Sequence, residues 1–316
     1  MKPCVFIHTN ERQWLGALVA EHALRRASAR PEAFDVRFLH TRDHDYLAER
    51  EGQPFLRGGV ERIWRMDDLQ SFTPLRFLPP RLMDHQGRAV LIDPDVFAVG
   101  DIMELFERDM QGAAVMGRRR SARDEKDSVA TSVMLMDCAR LRHWRPEEEF
   151  AELFEFERDY KEWIALHHEP RENLGWLEPE WNDFDRLTER TRMLHNTKRR
   201  TQPWKTGLPV DFVPADKLRK RPLLFRLNRL RASLFGEYAF LGRYHAHPDP
   251  AQERFFYDLL RECLELGKVD EAMIRDEIAR KHIRSDSLEL VRRPPTARDD
   301  PEQNATQDSI QWNTST

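Results

Sequence analysis

Arg88-Ala-Val-Leu-Ile-Asp-Pro-Asp-Val-Phe-Ala-Val-Gly-Asp101 carries the main structural signal of this chain. Its small and apolar run, Ala89 to Ile92 with Val96 beyond the acids, is that of a buried strand. The strand delivers two carboxylates, Asp93 and Asp95, at its carboxyl end. Ligands of open α/β sheets bind at that end. Two ionised carboxylates two residues apart at the rim of a core repel each other, so the pair calls for a positive partner. A divalent cation that also binds phosphate is the economical one, and hard oxygen ligation suits Mg²⁺ or Mn²⁺. Asp-Pro-Asp is also ordinary turn chemistry, and a lone D-x-D does not separate the two readings.

Upstream, residues 4–8 read as a first buried strand. Residues 13–27 read as a helix with one buried face, from the spacing of Trp14, Leu15, Leu18, Val19 and Ala23. The loop between them, His8-Thr-Asn-Glu-Arg12, lacks G-x-G-x-x-G, which disfavours a dinucleotide site for NAD(P) or FAD. Residues 34–40 form a second strand. Within 71–83, Arg76 sits among apolar neighbours, and a buried arginine needs an anion, either an acid of the chain or a substrate. Downstream, Asp101 is placed to cap a helix. Residues 113–116 and 133–137 are further strands, and the charged loop 117–127 between them is a solvated segment or a lid. Residues 140–165 read as helical, charged and peripheral. Strand alternating with helix makes this an α/β protein with a mainly parallel sheet.

A second informative region is Leu177-Glu-Pro-Glu-Trp-Asn-Asp-Phe-Asp185, followed by residues 193–205. His195 follows a short apolar pair, and Lys198, Arg199, Arg200 and Lys205 crowd the positions after it. Cations beside an imidazole disfavour its protonation, leaving a nitrogen free to ligate metal or accept a hydrogen bond. A histidine alone is most often structural. An acidic pair, a histidine and a cationic loop are together the components that hold a metal-diphosphate and neutralise a departing one. Residues 217–231 are basic and leucine-rich, and Pro222 divides them. They suit a linker, a helix covering the core's edge, or a weak contact with a membrane surface or anionic acceptor. Two helices are expected over 252–283, and 292–316 reads as disordered.

The whole chain has 316 residues, 40% hydrophobic and 34% charged, enough for a sizeable core under a polar coat. Its 51 basic and 55 acidic side chains leave a formal net charge of −4, so no global basic field recruits nucleic acid. Cys4, Cys138 and Cys263 lie far apart without C-x-x-C spacing, which suits packing roles and a reducing cytoplasm. No signal peptide or apolar stretch of ~18 residues is present, so a soluble, cytoplasmic protein is expected.

Residues 88–96 and the Gly-Asp-Ile-Met-Glu-Leu-Phe that follows resemble the D-x-D segment of glycosyltransferase family 8, the glycogenin and lipopolysaccharide galactosyltransferase group. Four other places are similar in register: Cys4-Val-Phe-Ile-His-Thr to the opening nucleotide-binding strand, Arg76-Phe-Leu-Pro to the arginine segment, Ser132-Val-Met-Leu-Met-Asp to the strand lining the donor sugar, and 195–204 to the closing H-x-x-G-x-x-K-P-W motif. The resemblance implies a GT-A fold with a mixed, mainly parallel sheet flanked by helices over 1–212. A helical C-terminal extension over 213–290 and a tail over 291–316 follow. It further implies a nucleotide-sugar donor, usually of UDP, a glycan or other acceptor, transfer with retention, and Mn²⁺ or Mg²⁺ held by Asp93, Asp95 and His195. His8, Thr9, Asn10, Pro94 and Gln202 would join the two acids in binding the nucleotide. Arg76, Asn182, Asp183, Lys198, Arg199, Arg200 and Lys205 are the candidates for catalysis, with Asn182 or Asp183 facing the sugar. The motif also departs from the family. Its asparagine falls near Ala130, its lysine falls at Gln202, and the loop is one residue longer, so one of the four nearby cations must supply the lysine's charge. Non-catalytic sugar-nucleotide or glycan binding and nucleotidyl transfer are the alternative functions.

Overall fold

A computed structural model describes residues 1–120, 128–212 and 241–293. The expectations for 121–127, 217–231 and the tail from 294 lie outside the described residues. The strands are β1 (Cys4–Thr9), β2 (Asp35–His40), β3 (Pro54–Leu56), β4 (Glu61–Ile63), β5 (Arg88–Ile92), β6 (Val96–Ala98), β7 (Val115–Arg119), β8 (Val129–Asp137), β9 (Leu174–Leu177), β10 (Asp183–Phe184) and β11 (Met193–His195). Six of them form one sheet in the order β2-β1-β5-β8-β7-β9. β1 runs parallel to β2 and β5, β9 runs parallel to β7, and β8 is antiparallel to both of its neighbours. This mixed sheet flanked by helices is consistent with the GT-A fold that the motifs imply.

Both faces of the sheet are covered, which is why its strands lack polar alternation. Val5, Ile7, Val90, Ile92, Val133 and Leu135 point to a core shared with α1 (Trp14–Ala27) and the C-terminal helix Pro250–Glu265. Cys4, Phe6, Ala89, Leu91, Met134 and Met136 point to the other face, against Phe77, Phe150, Tyr160 and Trp163. Residues 140–165 therefore do not form a peripheral helix. They fold as two short helices, Pro146–Glu152 and Tyr160–Ile164, with Phe156 at a φ of 62° between them. Their aromatic residues close the second core, and Trp163 stacks on Phe77 with ring centroids 4.4 Å apart. An apolar face this large outweighs the residues' charge.

The C-terminal region has three described helices, Pro250–Glu265, Glu271–Ala279 and Ser287–Arg292. They pack into the first core rather than beside it. Cys4, Cys138 and Cys263 are free and buried, and burial pushes each thiol up to about 12. Among the described residues no helix is long and apolar enough to cross a membrane.

The route of the chain beyond β5 positions the site. Asp93 N–H donates to Ser132 O (2.9 Å), extending the ladder by one residue, and Pro94 then offers no donor. The chain leaves the large sheet there and enters β6, the edge of a smaller sheet ordered β10-β11-β6. In that sheet His195 pairs with Val96 across antiparallel strands, which brings the imidazole beside Asp95. α1 supports the turn from beneath: a Cβ at Gly16 would lie 2.7 Å from Pro94 O.

Candidate metal and nucleotide-sugar site

Asp93, Asp95 and His195 converge in the fold, with one ligand atom from each lying within 4.8 Å of the others. Two carboxylate oxygens and one imidazole nitrogen are a donor set that fits Mg²⁺ or Mn²⁺. Asp93 is buried. Its Oδ1 accepts from His8 Nε2 (2.6 Å) and lies 3.4 Å from Arg76 Nη2. Burial alone would raise its pKa, but His8 and Arg76 outweigh burial and hold it at about 2. His8 itself is pushed down by burial. Asp93 is thus an ionised carboxylate that is hydrogen-bonded to His8 Nε2 and balanced by the Arg76 guanidinium.

His195 is oriented from behind. Its Nδ1–H donates to Asn182 Oδ1 (2.8 Å), while Asn182 Nδ2 donates to Ser132 Oγ (2.9 Å) and faces Ala130 O at 3.4 Å. This network assigns the tautomer and turns Nε2 toward Asp95 Oδ1, 3.3 Å away. The loop cations were expected to keep the imidazole neutral, and the structure corrects this. Burial lowers the pKa of His195, but Asp95 and then Asp93 and Asp185 raise it above its ordinary value. Asp95 Oδ1 stands 3.3 Å from Nε2, so a proton and a metal ion compete for that nitrogen.

A cleft of about 300 Å³ opens over the triad, with Arg76, Arg120, Arg199, Gln13 and Gln202 on its walls. Phe72, Thr73, Thr131, Ser132, Phe184 and Thr197 complete much of the lining. Arg76 is 5% exposed and donates to Thr131 Oγ1. Gln202 Nε2 donates to Asp95 Oδ2 (3.0 Å), so the residue at the motif's lysine position holds Asp95 directly.

The remaining candidates are distributed as follows. Asn182 is fully buried behind His195, and Asp183 is buried and accepts from Thr191 Oγ1 (2.9 Å). Of the four loop cations only Arg199 lines the cleft. Lys205 is 0% exposed and bound to Asp211 (2.7 Å), Arg200 donates to Leu241 O, and Lys198 is exposed. His8 lies behind Asp93. Thr9 is buried in β1, and Asn10 Nδ2 donates to Asp68 O and Ser71 Oγ, tying down the 68–73 segment that walls the cleft. Pro94 turns its carbonyl toward α1. Gln13, Phe72 and Phe184 had no motif to announce them, although the spacing after the first strand placed Gln13 at the helix start.

No protein-family model and no curated protein matches the chain. Among solved structures it is similar to the galactosyltransferase LgtC in complex with donor and acceptor sugar analogues, at 12% identity over 64% of this chain and 89% of that one, with a TM-score of 0.46. It is similar to the glycosyltransferase GlyE of Streptococcus pneumoniae TIGR4 at 15% identity, over 84% of this chain and 64% of that one, with a TM-score of 0.46. The mouse xyloside xylosyltransferase 1 gives 15% identity over 62% of this chain and 98% of that one, with a TM-score of 0.41. The chain thus spans just under two thirds of GlyE.

Proposed function

We propose that this chain is a metal-dependent glycosyltransferase. It takes a sugar from a nucleotide donor of the UDP type, passes it with retention to a glycan or other acceptor, and works in the cytoplasm, where its three free cysteines stay reduced. The observation that carries the reading is the junction of Asp93, Asp95 and His195 at the carboxyl end of β5, in a cleft that Arg76 and Arg199 also line.

Asp93, Asp95 and His195 would hold Mn²⁺ or Mg²⁺, which when bound neutralises the donor's diphosphate and the charge that grows on it as the glycosidic bond breaks. Asn182 and Ser132 fix the imidazole in the ligating tautomer. Gln202 engages one oxygen of Asp95 and leaves the other toward His195. Arg199 faces the cleft and adds positive charge where the departing diphosphate sits. Arg76, held by Thr131 and Asp93, stands on the cleft wall with a rigid guanidinium suited to oxygen-rich ligands.

The position of Lys205 favours a second reading, in which the cleft binds a sugar nucleotide without turnover, because this one of the four cations that could replace the motif's lysine is buried and committed to Asp211. The test is incubation of the full chain with UDP-sugars and Mn²⁺, without acceptor, followed by product analysis. Release of UDP is expected. Saturable binding with no release would move the binding reading to first place, and release of UMP with sugar 1-phosphate, as the uridylyl group passes to water, would indicate nucleotidyl transfer.

A further inference from the structure

Beyond the triad, one feature of the cleft is built by a distant part of the chain. The loop from His195 to Leu208, which carries Arg199 and Gln202, is clasped along its length by residues 241–252. Gly207 N donates to Tyr244 O (2.9 Å), Tyr244 N to Leu208 O (2.9 Å), Val210 N to Gly242 O (3.0 Å) and His245 N to Arg200 O (2.7 Å). Side chains continue the clasp toward the metal site. Asn196, next to His195, donates through Nδ2 to Gln252 Oε1 (2.8 Å), and both residues are 1% exposed. Gln252 Nε2 in turn faces Asp249 Oδ2 at 3.3 Å. Within the loop, Gln202 Nε2 bridges Asn196 O (3.3 Å) and Asp95 Oδ2 (3.0 Å). On the loop's other side Asp185 accepts from Thr197 Oγ1 (2.5 Å) and Lys198 N (3.1 Å), with His247 Nε2 3.9 Å from it.

An unbroken path of hydrogen bonds therefore joins the first turn of the Pro250–Glu265 helix to Asp95. Gln252 sits where a neutral amide can serve a donor on one side and an acceptor on the other, and no aliphatic residue of the same size could do both. The buried amide of Gln252 has a partner at each end, and losing it would leave Asn196 Nδ2 buried and unpaired, so the link is a constraint on the loop.

We propose that Gln252 is a positioning residue for the metal site. Acting through Asn196, it holds the closing loop so that Gln202 reaches Asp95, His195 keeps its orientation and Arg199 faces the cleft. The inference rests on the metal-site reading above and extends it to a helix that the motifs do not touch.

The test compares the full-length parent with Gln252→Met, which keeps the volume and removes both polar ends. Two readouts are used: Mn²⁺ affinity by electron paramagnetic resonance of the free ion, and hydrogen exchange of the amides over 195–202. Leu259→Ala, farther along the same helix and buried in the core with no part in the hydrogen-bonded link, supplies a destabilised control. Gln252→Met is expected to weaken Mn²⁺ binding about tenfold, the lower end of what outer partners of metal ligands contribute. It should also speed exchange over 195–202, while Leu259→Ala lowers the melting temperature with Mn²⁺ affinity near the parent's. Mn²⁺ affinity of Gln252→Met equal to the parent's, or a loss no larger than that of Leu259→Ala, overturns the proposal. Should Gln252→Met fail to fold, Asn196→Ala cuts the same link from the loop side and is judged by the same two readouts. A parent that binds no Mn²⁺ overturns the metal reading instead, and loop exchange then decides the clasp: faster exchange in the variant supports it, unchanged exchange overturns it.

Discussion

At the scale of single residues, the site is a contest over the charge of Asp93 and the aim of His195. Arg76 balances Asp93 in the structure. Removing one partner of a buried ion pair strands the other, so Arg76→Met is expected to lower stability by roughly 3 kcal/mol. If a divalent cation also sits on Asp93, it can take over that balance. The rise in melting temperature produced by Mn²⁺ should then be larger in Arg76→Met than in the parent. An equal or smaller rise in a thermal-shift assay would detach Arg76 and Asp93 from the metal. Asn182→Ala leaves His195 Nδ1 and Ser132 Oγ without their partner. We expect a stability loss of about 1–3 kcal/mol by chemical denaturation, and Mn²⁺ binding weakened by roughly 10- to 100-fold. A stability loss with unchanged Mn²⁺ affinity would make Asn182 a packing residue only. Arg199→Ala should cut turnover by roughly a hundredfold, with donor affinity falling far less, because it acts on charge that appears as the donor breaks. Steady-state and binding measurements on one preparation separate the two effects.

At the scale of elements, helix ends and close contacts set where the acids point. Asp101 accepts from Met103 N (2.9 Å), Ser28 Oγ (2.7 Å) and Ala29 N (3.0 Å), so it both starts the helix after β6 and ties that helix to the end of α1. Burial works to raise its pKa, but these hydrogen bonds hold it below the usual carboxylate range. A carboxyl depressed in the folded state stabilises fully above its unfolded value and loses that contribution as pH falls through its folded one. Asp101→Ala should therefore cost about 1–2 kcal/mol near neutral pH, and its denaturation curve should converge on the parent's in acid. Curves that stay separated throughout would show that charge is not the cause. Gly16 gives a test of α1 as the support of the Asp-Pro-Asp turn. Alanine gains roughly 1 kcal/mol of helix propensity. Its Cβ, however, would press on a backbone oxygen, and overpacking of that kind costs about 1–3 kcal/mol. Gly16→Ala is thus expected to be destabilising on balance and to weaken Mn²⁺ binding, and a stabilised variant with normal binding would argue against the support role.

At the scale of the whole molecule, the C-terminal helices belong to the first core. Phe256, Tyr257, Leu259 and Leu260 are buried there with α1, Phe97 and Trp204. At roughly 1.5 kcal/mol or more for each such side chain, their loss approaches about 6 kcal/mol, comparable with the entire stability of many domains. A fragment of residues 1–212 should therefore fail to melt cooperatively by circular dichroism. A fragment that melts like the parent would show that the boundary expected at 212 divides independent units.

The local patterns determined much of this molecule. Apolar runs and helical spacing placed β1, β2, β5 and α1 because each depends only on neighbours in sequence, and the doublet of acids after β5 was legible for the same reason. The 140–165 segment was misread because its charges are local, whereas its burial depends on Phe77 and Trp64 elsewhere in the chain. The site divides along the same line. Which residue types it uses could be read from the motifs. Which partner each would take could not, since Arg76 on Asp93, Asn182 on His195 and Lys205 on Asp211 are pairings across strands and loops. Only the tertiary structure decided them: one register position in β11 sets His195 beside Asp95, and a helix begun at residue 250 holds the loop that completes the cleft.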